Sequence, residues 1–393
     1  MKYKLLISLF TVIPFLLQAE TLKVSTFNVS MESNNYKELG LAPGTEVLKQ
    51  VLANGKHPQV RNIAEIIQRV NPDILLLNEF DYIANKSEGI DNFIRHYLNV
   101  SQAGQKAVHY PYTYINTVNT GEPTHFDLDN NGKKTQYGGD AYGYGLYPGQ
   151  YGMVVLSKYP IELANVRTFQ TFKWHHMPNA LKPILPATNT DEKGTPWYSD
   201  EEWEALRLSS KSHWDIPVNV NGTIVHILAM HPTPPNFDGP EDRNGARNHD
   251  EIRLMADYLT PDRGNYIYDD SGQQVSLKEN DRFVLVGDFN ASDIGDKHRP
   301  NVIEQLTESP LVNNNLIPTS AGGAEASTEP FSNRFTAYWG ARADYVLPSK
   351  FGFEVKDAGV FWPTKESDLY RLVKDRKASS DHRMVWVTLE ITN

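Results

Sequence analysis

Phe283-Val284-Leu285-Val286-Gly287-Asp288-Phe289-Asn290 is the stretch on which the fold turns. Its apolar run, closed by a glycine, reads as a buried strand ending in a sharp turn. Asp288 and Asn290, two residues apart, point to the same side of an extended chain. Such a pair can orient a water and hydrogen-bond a phosphoryl oxygen. It also suits an ordinary exit from a strand into a turn, which Asp and Asn favour. Four more segments end or begin apolar runs in the same way: Val24-Ser25-Thr26-Phe27-Asn28, Ile74-Leu75-Leu76-Leu77-Asn78-Glu79, Arg342-Ala343-Asp344-Tyr345-Val346-Leu347 and Ser380-Asp381-His382. Runs of this kind line up in a sheet, so their polar ends converge at one edge.

Each terminal residue has a chemical and an ordinary reading. His382, beside an acid, is a general acid/base or a clamp on a phosphoryl group; alone, an Asp-His pair is surface. Asp344 would hold the His382 imidazole oriented and protonated, or is simply an acid at a strand start. Glu79 closes a buried-type strand, and a hard cation such as Mg²⁺ needs only one or two such carboxylates.

Taken together, and in this order, the segments resemble the endonuclease/exonuclease/phosphatase superfamily. That superfamily includes pancreatic-type deoxyribonuclease, abasic-site endonucleases, bacterial sphingomyelinases and inositol polyphosphate 5-phosphatases. The resemblance adds Tyr151-Gly152 before a strand and His231 at a strand end. It implies an α+β fold, a four-layer α/β/β/α sandwich of two packed mixed sheets flanked by helices. It also implies roles. Glu79 is a metal ligand, with Asn28 and Asp381 close to the metal or its waters. Asp288 positions or deprotonates the attacking water, and Asn290 steadies the phosphate. His382, oriented by Asp344, and His231 contact phosphoryl oxygens. Mg²⁺ or Mn²⁺ is the implied ion. His231 sits in His-Pro-Thr-Pro-Pro, a departure from the usual family context, and also reads as a core histidine.

Outside these segments, Pro58 to Val70 carries apolar residues at helical spacing and stops at Asn71-Pro72. Strands are expected at Leu22–Val29, Ile74–Leu77, Gly152–Ser157, Thr223–Met230, Arg282–Val286, Tyr345–Leu347 and Met384–Ile391, and a second helix over Asn248–Leu259. Three stretches, 101–150, 165–215 and 232–248, read as insertions in one catalytic domain spanning 20–393. Within them Arg207, Lys211, His213 and Trp214 form a basic and aromatic cluster that lines a pocket or only walls a loop. Arg243 and Arg247 reach an anion or pair with Glu241 and Asp242. Asp127-Leu128-Asp129-Asn130-Asn131-Gly132 matches half of a calcium loop, with Asp140 available if the chain folds back; a solvated turn is the alternative.

Residues 1–19 read as a cleaved signal peptide: Lys2 and Lys4, an apolar run from Leu5 to Leu17, then Ala19. The run falls short of the ~20 residues that span a bilayer, so the mature chain has no expected transmembrane segment. Cysteine is absent, which excludes a lipoprotein anchor and suits a bacterial periplasmic or secreted protein. The formal charge is −10. An acidic chain without a Lys/Arg cluster is poorly built to neutralise DNA phosphates. The expected substrate is therefore a small or lipid-like phosphoester, with an extracellular nuclease as the alternative.

Overall fold

The computed structural model describes residues 21–187, 194–274, 276–295 and 299–392; the expected leader lies outside them. The first sheet runs β12 (Phe353–Val360), β13 (Val385–Ile391), β1 (Thr21–Met31), β2 (Ile74–Phe80), β4 (Met153–Ser157), β3 (Tyr112–Ile115). The second runs β11 (Asp344–Pro348), β10 (Arg282–Asp288), β9 (Thr223–Met230), β8 (His213–Val220), β5 (Arg167–Thr168). A small ribbon pairs β6 (Ile184–Leu185) with β7 (Thr195–Pro196). Both large sheets are mixed: β1 is parallel to β2 and antiparallel to β13, and β10 is parallel to β9 and antiparallel to β11.

Alternation along β9 and β10 explains the layering. Ile227, Ala229, Val284 and Val286 join the core that faces the first sheet. Leu228, Met230, Phe283 and Leu285 turn the other way, onto Ile252, Met255 and Leu259 of the helix Arg243–Leu259. The helix Pro58–Val70 covers the first sheet with Val60, Ile63 and Ile67. Each such buried aliphatic side chain contributes roughly 1.5–3 kcal/mol. The result is the expected four-layer α+β sandwich.

Most elements sit where the sequence puts them. Pro58 opens its helix and Asn71, at φ 49°, ends it. The other helix begins at Arg243, five residues before the expected Asn248. Its first turn is polar, so no apolar periodicity announces it. The segments 101–150 and 165–215 are not purely insertions: β3, β5 and the first residues of β8 lie in them. β12 was also hidden, because its Glu354, Lys356 and Asp357 are solvent-facing.

Candidate active site

The ends of β1, β2, β9 and β10 meet at one edge of the sandwich. Parallel pairing sets Asn28 opposite Asn78, and antiparallel pairing sets Asp288 opposite Asp344. Asn78 ties the two sheets together. Its Oδ1 accepts from the Asp288 main-chain N at 3.2 Å and from Thr26 Oγ1 at 3.2 Å, and its Nδ2 donates to Met230 O at 3.4 Å. Gly287 does more than permit a turn: at φ 150° a Cβ there would lie 2.0 Å from Met230 O. Only glycine lets β10 come close enough to β9 to set Asp288 beside His231. Gly152 plays the same part against Phe80 O, 2.6 Å from its would-be Cβ. Ser30, Glu79, Tyr151 and Asn290 all hold left-handed backbone, with φ between 49° and 57°. Conformations of this kind cost of order 1–3 kcal/mol each and concentrate at functional sites.

Asp288 is the hub. Its Oδ2 accepts from Asn28 Nδ2 at 3.0 Å and lies 3.4 Å from His231 Nε2 and 3.5 Å from His382 Nε2. Its Oδ1 accepts from the Asn290 main-chain N at 3.0 Å. The two imidazoles differ. His382 Nδ1 pairs with Asp344 Oδ2 at 2.9 Å, and that oxygen also accepts from Thr336 Oγ1 at 2.8 Å. Burial alone would depress the His382 imidazolium, but Asp344, Asp288 and Asp381 outweigh it and raise its pKa to about 10. His231 is held well below the ordinary histidine value, first by burial and then by the positive charges of Lys211 and His382. One charged and one neutral imidazole therefore flank a single carboxylate.

Glu79 stands at the other end of the site. Its Oε2 is buried without a hydrogen-bond partner. Burial, and then repulsion from Asp381, raises its pKa to about 7. Asp381 accepts from Ser30 Oγ at 2.9 Å and pairs with Arg376 at 3.2 Å. Burial pushes its carboxyl up, but His382 and Arg376 outweigh that and hold it below the usual range. An orphaned carboxylate oxygen repelled by a second acid fits a divalent cation, which takes carboxylate oxygens. Atoms of Asp288, Asp344 and His382 also lie within 4.8 Å of one another, and there the imidazole joins the two acids.

The structure sorts the remaining expected residues. Lys211 is buried among Glu251, Glu79 and Asp288, and its ammonium makes no hydrogen bond or ion pair among the described residues. Burial lowers its pKa despite those acids. Its neighbours are not pocket residues. His213 is buried between Ser209 Oγ and Glu251 O, and Trp214 packs in the core against Tyr114. Arg207 donates to Asn119 and lies over the Tyr142 ring. Arg247 spends its guanidinium on the carbonyls of Leu208, Tyr142, Arg207 and Ser209, and Arg243 pairs with Glu241. Neither is available to a ligand. A basic stretch does exist where none was expected: Lys374, Arg376 and Lys377 are exposed just before Asp381. At 127–140 the chain folds back, and carboxylate oxygens of Asp127, Asp129 and Asp140 come within 4.8 Å of one another. Asn131 caps the turn by accepting from Lys133 N.

The endonuclease/exonuclease/phosphatase family profile matches residues 25–382. No curated protein matches the chain. Among solved structures, an endonuclease/exonuclease/phosphatase from Beutenbergia cavernae is 18% identical, with 95% of this chain and 72% of that one covered and a TM-score of 0.51. Sphingomyelinase C from Streptomyces griseocarneus is 16% identical over 94% and 99% of the two chains, with a TM-score of 0.45. A magnesium-bound beta toxin variant from Staphylococcus aureus is 14% identical over 94% and 99%, again at 0.45. With a profile match over nearly its whole length and the same two-sheet fold, the chain belongs to the endonuclease/exonuclease/phosphatase family of hydrolases.

Proposed function

We propose that the protein is an exported, divalent-metal-dependent phosphoester hydrolase acting on a small or lipid-like phosphate ester through attack of water on phosphorus. One observation carries this reading: Asp288 lies between neutral His231 and charged His382, at the same strand edge as the orphaned Glu79 oxygen.

Glu79, with Asn28 and Asp381, would hold Mg²⁺ or Mn²⁺, which when bound offsets charge developing on phosphorus and the leaving oxygen. Asp288 Oδ2, 3.5 Å from His382 Nε2, takes the proton of the attacking water. The Asn28 amide holds that carboxylate in place. His382 and Lys211 present positive charge to phosphoryl oxygens, and Asn290, whose Nδ2 donates to Pro232 O at 3.1 Å, leaves its Oδ1 to accept from the attacking water. Asp344 and Thr336 fix the His382 ring so that its Nε2–H faces the site.

Small substrates are favoured because the chain is acidic and Arg243 and Arg247 are committed within the protein. An extracellular nuclease is the second reading, supported by exposed Lys374, Arg376 and Lys377 beside Asp381. Export rests on the leader-like residues 1–19, and N-terminal sequencing of the mature protein should begin at Glu20. Among the described residues no helix is long and apolar enough to cross a membrane.

The deciding experiment is turnover across a panel of mononucleotides, sugar and inositol phosphates, sphingomyelin and duplex DNA, with chelator and with Mg²⁺ or Mn²⁺. Activity should vanish in EDTA and return with metal. Full activity after verified metal removal would end the mechanism. Duplex DNA should be cut more slowly than at least one small ester even at low salt, where DNA binding is strongest. The reverse order would put the nuclease reading in its place.

A further inference from the structure

A pocket opens directly beside the catalytic edge, lined by Pro235, Asn236, Asn248, Asn290, Arg299 and Trp339 with small residues between them. Asn290 belongs to both the pocket and the site. The Trp339 ring stands edge-to-face with His382 at 4.9 Å. A group held there would lie beside Asn290 and His382. Resting on the phosphoester-hydrolase reading, we propose that this pocket seats an uncharged ring carried by the substrate, a ring whose edge bears hydrogen-bonding groups.

The described walls favour an uncharged group over a second phosphate. Arg299 is the only cation among the described lining residues, and it is paired with Asp242 at 2.9 Å. The remaining walls are amides, a serine and apolar side chains.

Hydrogen-bonding capacity excludes a purely apolar group. Asn248 is buried, and its Nδ2 is fixed by the carbonyls of Thr233 at 2.8 Å and Phe289 at 3.0 Å. That leaves its Oδ1 as an oriented acceptor. The Asn236 side chain makes no hydrogen bond among the described residues, although its carbonyl accepts from Asn244. These are acceptors and donors set for a ligand edge.

The aromatic wall specifies a ring. Trp174 and Trp214 are fully buried, whereas Trp339 is 42% exposed. An indole left in solvent beside a catalytic histidine offers a stacking face, and rings of both nucleobases and sugars use such faces.

The test is calorimetric binding of thymidine monophosphate, inositol monophosphate and methyl phosphate to the full-length mature protein, in the absence of metal and of turnover. Trp339→Ala and Asn236→Ala, both at exposed positions, serve as variants, and circular dichroism verifies their folding. At least one ring phosphate should bind roughly tenfold or more tightly than methyl phosphate, and that advantage should fall towards unity in Trp339→Ala. The thymidine and inositol arms then distinguish a nucleobase from a hydroxylated ring. Equal binding of all three by the wild type, or an advantage that survives both substitutions, overturns the proposal. Loss of hydrolysis with the ring preference intact would instead sink the hydrolase reading and leave the pocket assignment standing.

Discussion

Two histidines on one stretch of chain meet aspartates in opposite ways. His226 lies within β9, and His231 lies one residue past its end. His226 Nδ1 contacts Asp215 Oδ1 at 2.7 Å, Asp215 Oδ2 accepts from Tyr258 OH at 2.6 Å, and Arg167 donates to that hydroxyl at 3.3 Å. Both Asp215 oxygens are partnered. At the other end of the strand, His231 Nδ1, Asp344 Oδ1 and Glu79 Oε2 are buried without partners. Burying such atoms is costly, and native proteins keep few of them. On the proposed reading, the satisfied network does structural work, and the unsatisfied one is set for atoms that a metal and a substrate would bring.

The largest effect that tests this contrast is on turnover. Asp288→Asn and His382→Ala should each lower the rate by at least ~10², the scale of a lost acid/base or electrostatic group, with little change in folding. Asp215→Asn should leave turnover nearly untouched. Steady-state kinetics on the three proteins checks it. A comparable loss in Asp215→Asn would dissolve the distinction between the two ends.

How much of this was legible beforehand depends on what each residue needs from its neighbours. The apolar runs leading to Asn28, Glu79 and Asp288 were readable because long apolar runs bury themselves and leave their polar ends at an edge. Asn78 stands in the quoted run Leu75-Leu76-Leu77-Asn78-Glu79, yet its role depends on which strand lies across the interface. No local pattern states that. Arg247 looked like an anion ligand because guanidinium chemistry suits phosphate; only the fold reveals four carbonyls already around it. The pocket at Trp339 combines the loops at 235–236, 290–292 and 339–343, and its composition is invisible to any single window. β12 escaped because both its faces carry charge.

The next largest effect is on stability, with opposite signs at the two ends. Asp215→Ala strands the Tyr258 hydroxyl and the His226 imidazole, at a cost of about 1–3 kcal/mol. Glu79→Gln should do the reverse in metal-free protein. The folded pKa of Glu79 is raised from 4.5 to about 7. Below 4.5 both states are protonated and the group is neutral to stability. Between 4.5 and about 7 stability falls as pH rises, and above 7 the full penalty remains. Removing the charge should therefore stabilise the protein at pH 8 by on the order of 1–3 kcal/mol, while activity is lost. Urea unfolding in EDTA measures both substitutions. A Glu79→Gln protein less stable than wild type at pH 8 would show that the carboxylate is not under strain.

A smaller effect is the pH dependence of the satisfied end. Burial would lower the His226 pKa, but Asp215 outweighs it and the net shift is upward. A raised folded value means the contribution is fully present below the unfolded value near 6.5 and is lost as pH rises through the folded one. Urea midpoints of wild type should thus decline across that window relative to His226→Gln. Parallel profiles for the two proteins would remove the ion pair from the account.

The smallest expected effect belongs to the 127–140 loop, which is satisfied in the manner of the Asp215 network. Asp127 already accepts from the main-chain N of Asn131 at 3.0 Å and of Gly132 at 2.8 Å, and Asp140 from Leu128 at 2.9 Å and Thr135 at 2.7 Å. Those bonds already use much of the loop's carboxylate capacity, so Ca²⁺ should add mainly what its charge gains among three acids held close together. Calcium should raise the melting temperature by less than Glu79→Gln does, and the double substitution Asp127→Ala/Asp129→Ala should abolish the rise while leaving turnover intact. Scanning calorimetry with and without Ca²⁺ separates the outcomes. A calcium shift that persists in the double variant would place the ion elsewhere. A shift larger than that of Glu79→Gln would mean that the loop, too, holds carboxylates waiting for a partner.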